Sequence, residues 1–169
     1  MPIAHVNDTE IWHEVQGIGH PLLLLPGLGL DHRYYRFGEP LLRGTASTIL
    51  VDPRGIGQSR KDDPSLVTYT AEFWADDVAA LVRSLGYATV DVLGSSLGGA
   101  MAMAFALRHP DLVRSLIVIG AFSELDRAMK MNFTLRKSII AKLGMGEEIA
   151  EFMSLFTLTR EFIDRKSVV

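Results

Sequence analysis

The chain has 169 residues, a formal net charge of −3 and a hydrophobic fraction of 48%. That length suits one domain with a substantial core, and a mildly acidic balance without a basic stripe speaks against nucleic acid as a partner. The lack of cysteine excludes a disulfide framework, a thiol nucleophile and thiolate metal sites.

The opening stretch, MPIAHVNDTEIWHEV, has neither a basic n-region nor an apolar h-region, so it does not read as a signal peptide. Two strands are expected within it, Pro2 to Asn7 and Glu10 to Val15, joined by Asn7-Asp8-Thr9, whose Asn and Asp tolerate turn geometry. His20 to Pro26 (HPLLLLP) is a near-continuous apolar run, the pattern of a parallel strand buried on both faces. It ends in Pro26-Gly27-Leu28-Gly29, where glycines free backbone N–H groups to face a ligand. Asp31 is placed to cap a helix over residues 32–42. Ala46 to Val51 reads as the next buried strand and runs into the tight turn Asp52-Pro53-Arg54-Gly55-Ile56-Gly57-Gln58-Ser59. Asp52 and Arg54 are expected to tie that turn by hydrogen bonds. Pro64 falls in a polar loop, Lys61 to Ser65. Thr70 caps a helix to Leu85 whose apolar residues Phe73, Trp74, Val78, Leu81, Val82 and Leu85 recur at helical period, and Gly86 stops it.

Tyr87 to Leu93 is a further strand, and Leu97 to His109 a helix closed by Pro110. Between them lies Gly94-Ser95-Ser96-Leu97-Gly98. A serine held on a sharp strand-to-helix turn projects its hydroxyl from the end of the sheet. The flanking Gly94 and Gly98 are needed because a Cβ there would strike the neighbouring strand or helix. Ser96 is therefore the candidate nucleophile. Val113 to Ile119 reads as another buried strand. From Glu124 the pattern changes to two amphipathic helices, Leu125 to Leu143 and Glu147 to Ile163, joined at Gly144-Met145-Gly146. No run approaches the ~20 apolar residues of a membrane span, so a membrane is not an expected partner and a cytoplasmic location is expected.

In order along the chain, the PGLG loop, the DPRGIGQS turn, the GSSLGG elbow and RHPDLVRSLIVIG resemble the α/β-hydrolase family over roughly residues 1–125. The wording looks most like its small esterase, lactonase and enol-lactonase group. The resemblance implies an α/β fold, a mostly parallel sheet flanked by helices. It implies a core over residues 1–123 and part of a helical cap over residues 124–169. Serine chemistry needs a nucleophile, a base and an anion hole. In the family's manner Ser96 supplies the first, and the N–H groups of Leu28 and Leu97 form the hole, the latter helped by the positive end of the elbow helix. Gly27 and His32 are candidate substrate contacts, and Phe133, Met153, Phe156 and Phe162 candidate apolar lining from the cap. The expected ligand is a small ester or lactone, with no metal or organic cofactor.

The triad acid and histidine that the family places late in the chain have no match. Only His109 follows Ser96, and twelve residues of helix at ~1.5 Å each carry it nearly 20 Å from the elbow. His5, His13 and His20 belong to the early strands. Glu124 and Asp126 read as polar residues leading into a helix. The chain is thus expected to be a truncated, weakly active hydrolase whose strand 113–119 forms an apolar sheet edge, and self-association through that edge is an expected outcome. The alternatives are a non-catalytic small-molecule binder, an inactive fragment, and a cofactor-free haloperoxidase-like or acyl-transfer activity at the same serine.

Overall fold

The computed structural model describes residues 2–63, 65–144 and 146–157. Six strands form one sheet: β1 (Ile3–Val6), β2 (Thr9–Gly17), β3 (His20–Leu25), β4 (Ala46–Val51), β5 (Val90–Ser95) and β6 (Val113–Ile119), in the spatial order β1-β2-β4-β3-β5-β6. The first two pairings are antiparallel, whereas β4, β3, β5 and β6 run parallel. The carboxyl ends of β3, β4 and β5 therefore share one edge, where function gathers in open α/β sheets. This is the mostly parallel, helix-flanked sheet that the sequence pattern implies.

The leucine run of β3 explains how the sheet is buried. Leu23 and Leu25 join Ile49, Val51, Val90 and Val92 in a core on one face. Leu22 and Leu24 face the other way, against Trp12 and Leu50. A continuous apolar run is what a period-2 strand needs when both faces are covered. The first face is covered by α2 (Ala71–Ser84), through Trp74, Val78, Leu81 and Val82, and by α3 (Leu97–Arg108), through Met101 and Phe105. Thr70 caps α2, its hydroxyl accepting from the Phe73 N–H at 3.1 Å.

The second face is covered in part by Tyr35 and Leu42. Their segment is not the single helix expected over residues 32–42. It forms a 3-10 turn at His32–Tyr35 and then the one-turn α1 (Glu39–Leu42). Pro40 has no N–H to donate and fits only in a helix's first turn, so a helix cannot run through it. Pro64 and Met145 lie outside the described residues, as do residues 158–163 of the expected last helix.

Contacts divide the chain after Ser123 into two compact units. The second contains α4 (Arg127–Leu143), capped by Asp126, whose carboxylate accepts from the Met129 N–H at 2.8 Å, and α5 (Glu147–Thr157). In the first unit β6 is an outer strand of the sheet among the described residues. Its successive residues Leu116, Ile117, Val118 and Ile119 keep between 38% and 52% exposure, so both faces stay partly open, although α3 reaches Val118 through Gly99.

A buried ionic knot braces the first unit. The Arg54 guanidinium makes two bonds to Asp77 (2.8 and 2.9 Å) and one to Asp8 (2.7 Å), and lies over the Phe73 ring at 4.7 Å. Burial opposes its charge, but the hydrogen bonds to Asp77 and Asp8 outweigh that and raise its pKa above the ordinary arginine value. Asn7, at φ 49° in the β1–β2 turn, adds a bond to Asp77 at 2.8 Å. The knot joins the first hairpin, the DPRG turn and α2. The Asp77→Ala variant leaves the Arg54 charge short of its main partner in a site only 3% exposed. It should lose about 3–5 kcal/mol of stability, read as a lowered urea midpoint.

Candidate active site

Ser96 sits at φ 54°, ψ −118°, a backbone state that costs a non-glycine residue of order 1–3 kcal/mol and persists only where the surroundings enforce it. The surroundings do so here. The Ser96 N–H donates to the Ile119 carbonyl at 2.9 Å, and its own carbonyl accepts from Gly99 (2.9 Å) and Ala100 (3.2 Å) at the start of α3. A Cβ on Gly94 would lie 2.2 Å from the Gly98 carbonyl oxygen, and one on Gly98 would lie 2.1 Å from that of Leu25. Both obstacles are backbone, so neither can yield. The glycines let α3 press onto the end of β3 and turn the chain at Ser96, which is exposed at the head of the helix.

The Gly27–Leu30 turn lies alongside. Leu30 N–H donates to the Gly27 carbonyl at 3.1 Å, and Gly29 takes φ +71°, the positive value that such a turn demands at its third position. A Cβ on Gly27 would come within 3.4 Å of the Ser96 Cβ, so turn and elbow nearly touch. The first N–H groups of α3, Leu97 included, have no intrahelical acceptor by construction. The Leu28 N–H belongs to the centre of the turn and is not the one that closes it. Leu28 and Leu97 also line one small cavity of about 20 Å³, with Pro26, Pro53, Trp74 and Met101, room for roughly one water. A larger concavity of about 640 Å³ belongs to the second unit, where residues of α4 alone line it.

His32 is tied to the end of β4. Its Nδ1 lies 2.8 Å from Asp52 Oδ1, its backbone N–H donates to the same oxygen at 2.8 Å, and its ring stacks on Trp12 with centroids 3.9 Å apart. Asp52 follows β4, and β3 separates β4 from β5, so two strand spacings of ~4.8 Å stand between their ends. Asp52 is fully buried, and its other oxygen accepts from the Gln58 N–H at 2.8 Å. It ties the DPRGIGQS turn to the segment after the PGLG loop, as expected of it. Ligand atoms of Asp31, His32 and Asp52 fall within 4.8 Å of one another. All three already serve the protein, since Asp31 caps the 3-10 turn and holds Arg33 at 2.6–3.0 Å.

His109 makes a second histidine–carboxylate pair, its Nε2 2.9 Å from Asp76 Oδ1. Arg108 grips the same carboxylate with two bonds of 2.8 Å and holds its pKa below the usual range despite partial burial, with His109 adding to the effect. This pair stitches the end of α3 to α2, a helix length from Ser96. His5 is exposed beside Glu10, and His20 opens β3 at the sheet's opposite edge. Asp126 is spent as the cap of α4. In the second unit, Phe133 lies under the Arg136 guanidinium and Met153 is half-buried, while Phe162 falls outside the described residues. Sequence reasoning missed Tyr34, whose hydroxyl shares a 2.9 Å hydrogen bond with Ser95 Oγ.

Residues 20–159 match the family model described as alpha/beta hydrolase fold. A putative carbamate hydrolase RutD of Azorhizobium caulinodans is 32% identical over 145 residues, which is 85% of this chain and 53% of that protein. A thermophilic esterase from Thermogutta terrifontis aligns with a TM-score of 0.75 at 31% identity, covering 86% of this chain and 53% of that one. The enol-lactonase of Burkholderia xenovorans reaches a TM-score of 0.85 at 24% identity over 99% of this chain and 64% of that one, a likeness of fold. The chain spans about half the length of the curated relatives it matches.

The two classes of glycine should respond oppositely to a methyl group. Gly98→Ala meets backbone at 2.1 Å and should cost more than the roughly 1–3 kcal/mol of ordinary overpacking. Gly38→Ala, at φ −89° with nothing within 4 Å, should change stability by under about 1 kcal/mol. Thermal midpoints of the two variants check this.

Proposed function

The chain belongs to the alpha/beta hydrolase fold family, and from that premise we propose that it is a serine hydrolase of small carboxylic esters or lactones, working through an acyl-enzyme on Ser96. The observation that carries this reading is the strained, exposed Ser96 at the head of α3 with the Gly27–Leu30 turn at its side. A protein that only packed its core would have no use for a serine at φ 54°. Ser96 Oγ attacks the carbonyl carbon as its proton passes to a base. The tetrahedral oxyanion is held by the Leu28 and Leu97 N–H groups. Its collapse expels the alcohol, or opens the lactone, and leaves the acyl group on Ser96. Water then adds to the acyl carbon and releases the acid.

Gly27 and His32 are the proposed substrate contacts, and α4 and α5 the proposed cap elements. The base is assigned to neither His32 nor His109, because His32 is tied to Asp52 at the end of β4, two strands from the end of β5, and His109 stands a helix length from Ser96. Relatives about twice as long have room to supply it. The same two placements favour the second reading, a small-molecule binder that retains the pocket without turnover. No helix among the described residues is long and apolar enough to cross a membrane. The proposed partner is a small molecule.

A fluorophosphonate probe separates the two readings. Wild type should gain one adduct by intact mass and hydrolyse p-nitrophenyl acetate, and Ser96→Ala should do neither. Labelling that persists in Ser96→Ala, or a wild type inert to both reagents, would sink the hydrolase reading. Alone in solution, the chain should also self-associate through β6, an outer strand whose apolar residues stay partly exposed. Sedimentation velocity should find species larger than a monomer, and a monodisperse monomer would refute this.

A further inference from the structure

Two adjacent tyrosines tie one short segment to two strand ends. Tyr35 donates from its hydroxyl to the Leu25 carbonyl at 2.8 Å, at the end of β3. Tyr34 shares its 2.9 Å bond with Ser95 Oγ, at the end of β5. The rings meet edge to face with centroids 4.9 Å apart. Ser95 is only 7% exposed, so Tyr34 satisfies a hydroxyl that burial would otherwise strand beside the nucleophile. The segment carrying both tyrosines follows directly on the Gly27–Leu30 turn and is fixed at its start by the Asp31 cap. The gap it governs is narrow, since a Cβ on Gly27 would stand 3.4 Å from Ser96 Cβ and 3.5 Å from the Ser95 carbonyl.

We propose that Tyr34 is a positioning residue for the anion hole: its hydrogen bond to Ser95 holds the Gly27–Leu30 turn against the elbow and so sets the separation of the Leu28 and Leu97 N–H groups. This rests on the reading of those two groups as the hole. Tyr34 acts through Ser95 and the turn. Tyr35 fixes the segment to β3, which carries the turn itself, whereas Tyr34 alone of the pair bonds to the strand that carries the nucleophile. Losing the Tyr34 bond leaves both donors in the chain but frees one to drift, and a misplacement of about 1 Å can cost up to 10²-fold in rate.

The test uses Tyr34→Phe, Ser95→Ala and the double variant. Tyr34→Phe strands the buried Ser95 hydroxyl, whereas removing both partners is close to neutral for stability. The thermal midpoint should therefore fall in Tyr34→Phe and recover in the double variant. The kcat for p-nitrophenyl acetate should fall roughly 10-fold or more in Tyr34→Phe with KM little changed, and should stay low in the double variant. Recovery of kcat together with the midpoint would reduce Tyr34 to packing and overturn the proposal. A second readout needs no turnover. The Leu30 amide, which closes the turn onto Gly27, should exchange its hydrogen faster in Tyr34→Phe and in the double variant, while the Val92 amide in the core of β5 keeps its rate in the double variant. If wild type shows no Ser96-dependent turnover, the hydrolase reading fails on its own. Leu30 exchange then decides the role of Tyr34: unchanged exchange overturns it, and faster exchange at constant Val92 protection supports it.

Discussion

Everything at the site depends on how closely the head of α3 approaches the end of β3. The Leu25 carbonyl stands where a Cβ of residue 98 would be, and the Gly98 carbonyl where a Cβ of residue 94 would be. Only two glycines allow this, and with them in place the chain between has little freedom left. Ser96 is then forced to a positive φ, and its hydroxyl and the first N–H groups of the helix point out of the same edge. The strain of order 1–3 kcal/mol is small against what surrounds it. Leu23, Leu25, Val92, Met101 and Phe105 are buried to 1% or less around the turn, and each such side chain contributes about 1.5–3 kcal/mol. The core over-determines the elbow, so the strain cannot relax without unpacking the sheet.

Two carboxylates then fix the loops that the core does not reach. Asp52 binds the backbone N–H groups of His32 and Gln58 and so joins the segment after the first turn to the second turn. Asp77 holds Arg54, which in turn reaches Asp8 in the first hairpin, and the Arg54 carbonyl accepts from Trp74 Nε1 at 2.9 Å. Trp74 also lines the small cavity beside Leu28 and Leu97. The ionic knot is thus continuous with the wall of the site. Its cost in desolvation is offset because Arg54 bonds two carboxylates and buried Asp77 bonds both Arg54 and Asn7, which makes it sensitive to the loss of Asp77.

Much of this was legible in the sequence because it is local. The HPLLLLP run, the glycines around Ser96 and the Thr70 cap each act within a few residues, and each appears where the pattern places it. Asp52 was legible in kind, as a tie for its own turn, but not in its reach to His32 twenty residues upstream. The broken helix at 32–42 turned on Pro40, a local signal outweighed by the Asp31 cap before it. The Tyr34–Ser95 bond could not be read at all. Its partners are 61 residues apart, and the strand order that brings them together, with β3 between β4 and β5, is a property of the sheet rather than of any segment. The same reason hid the partners of His32 and His109. Sequence shows that a histidine and several aspartates are present, but only the fold decides which aspartate each histidine meets.

Those two histidine–carboxylate pairs bear on how catalytic parts are distributed along such a chain. A pair of this type is what a serine nucleophile needs, yet here one braces the loops and the other staples α3 to α2. The proposed nucleophile and hole come from two short stretches within residues 25–99, the Gly27–Leu30 turn and the elbow, both fixed by the first unit's own core. Neither of the two paired histidines shares that origin. In serine hydrolases loss of the base costs near 10⁶ in turnover, while a hole and a binding surface alone retain about 10³–10⁴ over water. On the proposed reading, the first 123 residues contain the parts that would stabilise a developing oxyanion. On that reading, electrostatic preorganisation and proton transfer are set by different parts of the fold, the first by the elbow and the turn beside it.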